Sequence, residues 1–149
     1  MKHKLFNIHK QHIFLTPKES SCVRKRIFLT TFKLPLDFLK IKTKRVYIST
    51  FGLKHLYDKR TAREYEYLLQ YLSQIIISPD AIYKNSSNRH GNIVLHKLLP
   101  EGDYIIVLQL SQKKNRGNYV LTGFRVKQKE LNKFKLLWKR EAGTPPSSR

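Results

Sequence analysis

Cysteine, acidic residues and long apolar runs are all scarce in this sequence. The one cysteine, Cys22, among 149 residues excludes an intramolecular disulfide and a cysteine-based metal cluster. No apolar run approaches the roughly 18–20 residues that a membrane-spanning helix requires. The basic N-terminus is not followed by an apolar stretch with a small-residue cleavage site, so we predict no signal peptide and a cytoplasmic location.

The shortage of acid leaves a large surplus of positive charge. Ten Asp and Glu stand against thirty Lys and Arg, so the formal net charge at pH 7 is +20. A surplus of this size attracts polyanions, and nucleic acid is the usual partner of such a chain. A membrane surface, reached through the basic C-terminal segment, is the weaker alternative, and we expect no membrane partner. Because 40% of the residues are hydrophobic, the chain can still bury the core of one domain.

The signatures of several enzyme classes are absent as well. The chain has no P-loop and no GxGxxG motif, which leaves nucleotide hydrolysis and dinucleotide redox chemistry without support. His90 and His96 do not form an HxH or HExxH pair with each other or with His55, and carboxylates are few. We therefore predict that the protein uses neither a metal ion nor another cofactor.

Helical spacing indicates three main helices. Ser49 or Thr50 is a suitable N-cap for a helix from about Phe51 to Lys59. Thr61 and Glu64 form a capping-box pattern that opens a longer helix, which ends at Ser78-Pro79-Asp80. The apolar face of this longer helix consists of Tyr65, Leu68, Leu69, Leu72, Ile75 and Ile76. A basic amphipathic helix is predicted over Gln128–Arg140, anchored by Leu131, Phe134, Leu137 and Trp138.

Alternating and β-branched segments predict the strands, and a β-hairpin tip falls over Gln112–Asn118. The predicted strands are Ile27–Phe32, Arg45–Ile48, Ile82–Lys84, Ile93–Leu98, Tyr104–Leu110 and Tyr119–Val126. This order predicts an α+β fold, in which N-terminal helices pack on one face of an antiparallel sheet of about four to five strands.

Composition divides the chain into three parts. Residues 1–44 are interpreted as a basic N-terminal arm, with a short strand at His12–Thr16 and a short turn of helix that Pro35 begins. Residues 45–140 carry most of the predicted elements and form the main domain. The tail, 141–149, contains Gly, Pro and Ser and is expected to be disordered.

His55 is the first candidate for chemistry. An unperturbed histidine titrates near neutral pH, which suits proton transfer in both directions. Lys54, Lys59 and Arg60 surround it in the sequence, and their charges would lower its pKa and attract a phosphate. The alternative is an ordinary surface or half-buried helix histidine.

Thr122 and Arg125 in the last predicted strand are the second candidate pair. Side chains alternate along a strand, so these two point to opposite faces unless a β-bulge intervenes, and Gly123 is a natural place for one. Lys84 and Lys97 lie on neighbouring predicted strands, where most lysines are simply solvated. Three tyrosines of the predicted sheet could stack an unpaired base, although tyrosines more often fill a core or an interface, and these are Tyr83, Tyr104 and Tyr119.

Five short motifs, taken in order, resemble the phage-borne nucleases of the barnase–EndoU–colicin–RelE-like superfamily. The resemblance covers roughly residues 45–135 and identifies 45–140 as a nuclease domain. The motifs are Val46-Tyr47-Ile48-Ser49, Leu53-Lys54-His55, Ile76-Ile77-Ser78-Pro79-Asp80, Tyr104-Ile105-Ile106-Val107 and Leu121-Thr122-Gly123-Phe124-Arg125. Such proteins are small, metal-independent ribonucleases, often toxins, with helices followed by an antiparallel four-stranded sheet.

The resemblance implies a catalytic site made of His55, Lys97, Thr122 and Arg125. His55 would act as general acid and base, Arg125 and Lys97 would hold the phosphate, and Thr122 would orient it. Barnase itself uses a glutamate base, and no acid stands at a matching sheet position here. The base is then His55, a lysine of lowered pKa, or the substrate itself. Further substrate contacts are expected from Lys59, Arg60, Lys84, Tyr83 and Tyr119.

Two functions therefore stay open. The first is an endoribonuclease, of phage or toxin type, that cleaves RNA through attack of the 2′-hydroxyl; its partners would be a tRNA or other structured RNA and an acidic antitoxin or immunity protein. The second is a non-catalytic basic protein that binds nucleic acid. The charge explains both equally well, whereas only the first requires side chains to converge.

Overall fold

The computed structural model describes residues 2–14, 16–17, 20, 22, 24–33, 39–85, 93–113 and 116–141. The helices are α1 (Lys2–His12), α2 (Thr50–Lys59), α3 (Ala62–Ile77) and a 3₁₀ helix (Gln128–Lys133). The strands are β1 (Arg26–Thr31), β2 (Arg45–Ser49), β3 (Ala81–Lys84), β4 (Ile93–Leu99), β5 (Gly102–Gln109), β6 (Asn118–Val126) and β7 (Lys135–Lys139). The expected turn of helix at Pro35, most of the loop after Asn85 and the tail from residue 142 lie outside the described residues.

One sheet of seven strands, in the order β1-β2-β6-β5-β4-β3-β7, forms the centre of the α+β fold. The antiparallel meander from β3 to β6 is confirmed. The expected count of four to five strands is too low, and the sheet is mixed, because β2 pairs with β6 in parallel. The additional strands are β1 and β2 at one edge of the sheet and β7 at the other edge.

The helices cover one face of this sheet and build the main core with it. Ser49 Oγ accepts a hydrogen bond from the Gly52 N–H at 3.1 Å and starts α2, and Thr61 Oγ1 accepts from the Glu64 N–H at 3.2 Å and starts α3. The six apolar residues predicted for one face of α3 are the six that the structure buries. Fully burying each large aliphatic side chain contributes about 1.5–3 kcal/mol, so this helix is the main apolar support of the sheet.

The N-terminal arm differs from the prediction. Residues 2–12 form α1 rather than a loose segment, and the strand expected at His12–Thr16 is absent from the described part of that stretch. Leu5 and Ile13 are completely buried against the other helices and strands. The arm is ordered because these two side chains close the core, a contact that local sequence patterns do not reveal.

The C-terminal segment is also different from the predicted helix Gln128–Arg140. Only its first part is helical, as the 3₁₀ helix, and Lys135–Lys139 forms β7. β7 pairs antiparallel with β3, with Trp138 opposite Ile82. β7 supplies hydrogen-bond partners to the edge of β3 that would otherwise be unpaired. Leu131 and Phe134 pack on the second face of the sheet.

That second face, which we call the open face, has two unlike halves. Under the 3₁₀ helix lies a small apolar cluster formed by Val94, Ile105, Val107, Val126 and Leu131. On the β1-β2-β6 side, Phe28, Tyr47 and Tyr119 stand opposite one another on neighbouring strands. We call these three residues the aromatic face.

A bulge in β6 decides where its side chains point. Val107 pairs with Thr122 and Leu108 with Val120, so Leu121 is the extra residue. The bulge precedes Gly123 instead of falling on it, and Thr122 and Arg125 stay on opposite faces of the sheet. Gly123 has a packing role, because a Cβ there would lie 2.6 Å from the Ile106 Cδ1 atom.

No helix in the described part of the chain is long and apolar enough to cross a membrane.

Candidate active site

The structure separates the four residues that the sequence analysis assigned to catalysis. His55 is exposed on α2, Lys97 is buried beneath the end of α3, and Thr122 and Arg125 lie on opposite faces of β6. The hollow that His55 lines shares no residue with the hollow that Arg125 lines. A single cleft that contains all four is therefore not formed.

His55 lines a hollow of about 300 Å³ on the outer side of α2. Lys54, the neighbour of His55 in the sequence and one of the residues expected to lower its pKa, is buried. Its ammonium donates to Asp58 Oδ1 at 3.0 Å and to the Pro17 carbonyl at 2.6 Å. Lys59 also lines this hollow, and with His55 it makes a basic, solvent-facing patch.

Lys97 stabilises the end of a helix. Its Nζ donates to the Ser78 carbonyl at 2.6 Å and lies 3.9 Å from Asp80 Oδ1. Ser78 is the C-cap of α3, so the ammonium satisfies a carbonyl that the helix leaves without a partner. Only 6% of Lys97 is exposed, and the residue is part of the core structure.

Thr122 is brought together with Arg60, another of the predicted contacts. β2 pairs with β6 only at Asn118 and Tyr119, so the rest of β6 has a free edge on that side. Arg60 fills it: Nε donates to the Gly123 carbonyl at 2.8 Å and Nη2 donates to Thr122 Oγ1 at 3.1 Å. The arginine closes the edge of the sheet at the point where α2 ends.

Arg125 lies in a polar hollow of about 260 Å³ at the start of α3, which we call the α3 hollow. The other residues that line it are Thr61, Arg63, Glu64, Tyr67, Glu101 and Tyr104. They come from the N-cap and first turns of α3, from the β4–β5 turn and from β5, whereas Arg125 itself lies near the end of β6. Two arginines, two carboxylates and two phenols thus share one opening.

Gly102 makes room for the Arg125 side chain. Its φ of +136° is in a region that side-chain-bearing residues rarely adopt, and a Cβ there would lie 2.8 Å from Arg125 Nε. The guanidinium therefore lies directly over this glycine. Among the described residues it forms no ion pair, so its charge is available to a ligand.

The two carboxylates of the α3 hollow have different partners. Glu64 Oε2 accepts from the Arg125 backbone N–H at 3.1 Å, so Glu64 ties α3 to β6, a contact that the capping-box pattern does not predict. Glu101 Oε1 is 2.9 Å from Arg63 Nη2 at the rim. Glu64 is thus an acidic side chain that α3 brings beside the sheet.

The two tyrosines remain protonated at neutral pH. Burial raises the pKa of Tyr67 and of Tyr104. The hydrogen bond from the Glu101 N–H to Tyr67 and the charge of Arg125 near both tyrosines only partly oppose this. Tyr67 Oη accepts from the Glu101 backbone N–H at 3.0 Å, which leaves the phenolic proton to be donated. The α3 hollow therefore has a proton donor beside a carboxylate and a cation.

The other predicted contact residues are dispersed. Lys84 is exposed at the end of β3. Tyr83 belongs to the apolar cluster of the open face, 6.2 Å from Phe134 between ring centroids, and burial raises its pKa. Tyr119 stacks on Tyr47 with centroids 5.7 Å apart.

Sequence reasoning missed Glu64, Arg63, Glu101 and Tyr67 as site residues. Glu64 was interpreted only as a capping residue, and the other three residues were not among the predicted site residues. The available signal was that acids are rare, since two of only ten line the α3 hollow. Among the described residues, no cluster of three or more His, Cys, Asp or Glu is arranged to hold a metal ion.

A comparison with protein-family models bears on this site. Residues 33–133 match the model described as phage-Barnase-EndoU-ColicinE5/D-RelE like nuclease3. The chain belongs to this family. The match confirms the resemblance noted from the motifs, includes every residue of the α3 hollow, and makes nucleic acid the substrate class. Searches of curated proteins and of solved structures returned no match.

Proposed function

We propose that this member of the phage-type nuclease family is a metal-independent endoribonuclease that acts through the 2′-hydroxyl of its substrate. The α3 hollow is the observation that carries the proposal. There a guanidinium without an ion-pair partner among the described residues lies beside a carboxylate and a protonated phenol. These are the three groups that phosphodiester transesterification requires when no metal takes part.

Glu64 is the general base of this mechanism. Its carboxylate takes the proton of the 2′-hydroxyl, and the 2′-oxygen then forms a bond to the adjacent phosphorus. The hydrogen bond from the Arg125 backbone N–H fixes one carboxylate oxygen at 3.1 Å and so orients the group. The second oxygen is the one that faces substrate.

Arg125 stabilises the transition state, and Tyr67 completes the proton transfer. The phosphorane carries two negative charges, so a guanidinium held over Gly102 supplies the electrostatic stabilisation. The bond from phosphorus to the 5′-oxygen breaks as the Tyr67 hydroxyl donates its proton to that oxygen. The products are a 2′,3′-cyclic phosphate and a free 5′-hydroxyl.

The remaining predicted residues have other parts in this proposal. His55 and Lys59 contribute to the positive surface that attracts RNA, and Thr122 and Lys97 hold the fold in place. DNA lacks the 2′-hydroxyl and is bound but not cut.

The proposal extends to a toxin that acts on tRNA or another structured RNA in the cytoplasm. A net charge of +20 favours an acidic inhibitor protein as its partner, because opposite charge accelerates and orients association. If this is right, expression of the wild-type chain arrests growth of a bacterial host, whereas expression of Glu64→Gln does not.

The direct test uses a DNA strand that contains one ribonucleotide, with the protein in EDTA. We expect one cut, 3′ of the ribonucleotide, and a 2′,3′-cyclic phosphate end. Glu64→Gln should reduce the rate by about 10²–10⁴-fold, the usual contribution of one proton-transfer group, while His55→Ala should change it much less.

Other outcomes of this test would contradict the mechanism, move the catalytic role to another residue or favour the non-catalytic alternative. Cutting that requires a divalent ion, or that persists when the ribonucleotide is replaced by a deoxynucleotide, would contradict the mechanism. A large loss in His55→Ala with full activity in Glu64→Gln would return the catalytic role to α2. RNA binding without any cutting between pH 5 and 9 would favour the non-catalytic alternative.

A further inference from the structure

The aromatic face is the part of the sheet that the proposed mechanism does not use. Phe28 and Tyr47 lie 5.5 Å apart between ring centroids, and Tyr47 and Tyr119 lie 5.7 Å apart with an interplanar angle of 26°. Phe28, on the edge strand β1, is 37% exposed. The rings form a continuous row across three strands.

Arginines lie against this row of rings. The Arg26 guanidinium carbon is 4.4 Å from the centroid of Tyr47, and that of Arg45 is 5.7 Å from the centroid of Phe28. β1 and β2 contain no Asp or Glu, and neither arginine forms an ion pair with a described residue. Both guanidinium groups are exposed and keep their charge for a partner.

A hollow continues the aromatic face beyond Tyr119. It has a volume of about 300 Å³ and is lined by Tyr119 together with Gln109, Gln112, Lys113 and Arg116. Tyr119 forms an aromatic wall, the two glutamines bring amide donors and acceptors, and the two cations stand at the edge. Gly117 also lines it, and this residue lies so close to Tyr47 that a Cβ would overlap the ring.

We propose that the aromatic face and its hollow bind unpaired nucleotides of an RNA strand. One base stacks on Tyr119 inside the hollow, where the glutamine amides meet its polar edge. Lys113 and Arg116 hold the adjacent phosphate, and the strand continues past Phe28 towards Arg26 and Arg45. Single strands are favoured over duplexes because only an unpaired base exposes a face to the rings.

This surface is separate from the α3 hollow. Five residues of β6 lie between Tyr119 and Arg125, so the two residues are six steps apart along the strand, or roughly 20 Å at about 3.3 Å per step. Tyr119 is on the open face, and Arg125 is on the helix-covered face. The inference rests on the proposed function only in regarding the bound strand as the substrate of the α3 hollow.

The test measures binding without cleavage. The probe is a fluorescent uridine 12-mer with methylated 2′-oxygens, which the proposed mechanism cannot cut, and the readout is anisotropy. Tyr119→Leu keeps an apolar side chain but removes the stacking surface, whereas Tyr119→Phe keeps the ring. We expect Tyr119→Leu to bind about 10-fold more weakly and Tyr119→Phe to bind as the wild type does.

Phe28→Leu is the second variant, since it changes an exposed ring on β1 and leaves the hollow intact. Equal affinities of wild type, Tyr119→Leu and Phe28→Leu would overturn the inference, as would equal affinity for the 12-mer and for a duplex of the same length. Preference for anionic lipid vesicles, lost in Tyr119→Leu, would also overturn it. Cleavage of a dinucleotide tests the proposed function separately, because a dinucleotide is too short to contact both sites.

Discussion

The two ends of β6 carry positive charge in two different settings. At the Arg125 end, arginines share the α3 hollow with the carboxylates of Glu64 and Glu101. At the Tyr119 end, Arg26 and Arg45 lie on aromatic rings of strands without acidic residues. The first setting combines a cation with a proton acceptor and a donor, and the second combines cations with stacking surfaces.

The two ends of β6 suit two different tasks, catalysis at the Arg125 end and RNA binding at the Tyr119 end. A carboxylate near a phosphate site weakens binding of an anion, so Glu64 is an unfavourable choice for a site that only binds RNA. Its presence beside Arg125 is what the proposed reaction requires, because that reaction needs a proton acceptor next to the cation. Rings and unpaired cations bind a strand without altering it, and they leave sequence preference to the polar groups around them.

Among the substitutions that remove a positive charge, the largest expected effect comes from Arg125→Gln. Removing the cation that faces the phosphorane should lower the single-turnover cleavage rate by about 10²–10³-fold, while binding of a long RNA changes little. Arg63→Gln is the matched control, because that side chain is 83% exposed and already paired with Glu101. Equal losses in the two variants would mean that the α3 hollow contributes only general positive charge.

Lys97→Met should affect stability and not catalysis. The substitution removes the hydrogen bond to Ser78 and leaves that buried carbonyl without its ammonium, which costs about 1–3 kcal/mol of unfolding free energy. Urea unfolding measures this, with the exposed Lys84→Met as control. A normal urea midpoint with a large loss of cleavage rate would make Lys97 a catalytic residue after all.

A smaller effect is expected from His9 in α1. Burial lowers the pKa of His9, attraction to Glu66 opposes this in part, and Nδ1 lies 2.9 Å from Tyr65 Oη. With its lowered pKa, His9 binds a proton less readily in the folded chain than in the unfolded chain, where the pKa is 6.5. His9 therefore contributes stability above pH 6.5, and this contribution is lost as the pH falls below 6.5. The urea midpoint should drop between pH 7 and pH 5 less in His9→Gln than in the wild type; identical drops would contradict this.

Local patterns were sufficient for the elements with strong caps or clear periods. The N-caps Ser49 and Thr61 and the buried face of α3 follow from the order of polar and apolar residues alone. Local patterns failed for α1 and β7, since both depend on distant partners. Leu5 and Ile13 order α1 by entering the core, and the edge of β3 converts Lys135–Lys139 from a helical pattern into a strand.

The site was harder to predict than the fold. Arg125 was assigned to the site through the Leu121-Thr122-Gly123-Phe124-Arg125 motif, and its catalytic role stays a prediction. Glu64 was missed because the same carboxylate satisfies a capping pattern, and its contact with Arg125 spans 61 residues. Lys97 was misplaced because nothing local shows that its ammonium reaches the end of α3.

The most direct test compares kcat and KM for a dinucleotide and for a 12-mer RNA in the wild type, Arg125→Gln and Tyr119→Leu. The account predicts that Arg125→Gln lowers kcat by a similar factor on both substrates. It predicts that Tyr119→Leu raises KM about 10-fold for the 12-mer and leaves the dinucleotide unchanged. A Tyr119→Leu variant that loses kcat on the dinucleotide as Arg125→Gln does would contradict the separation of the two ends of β6.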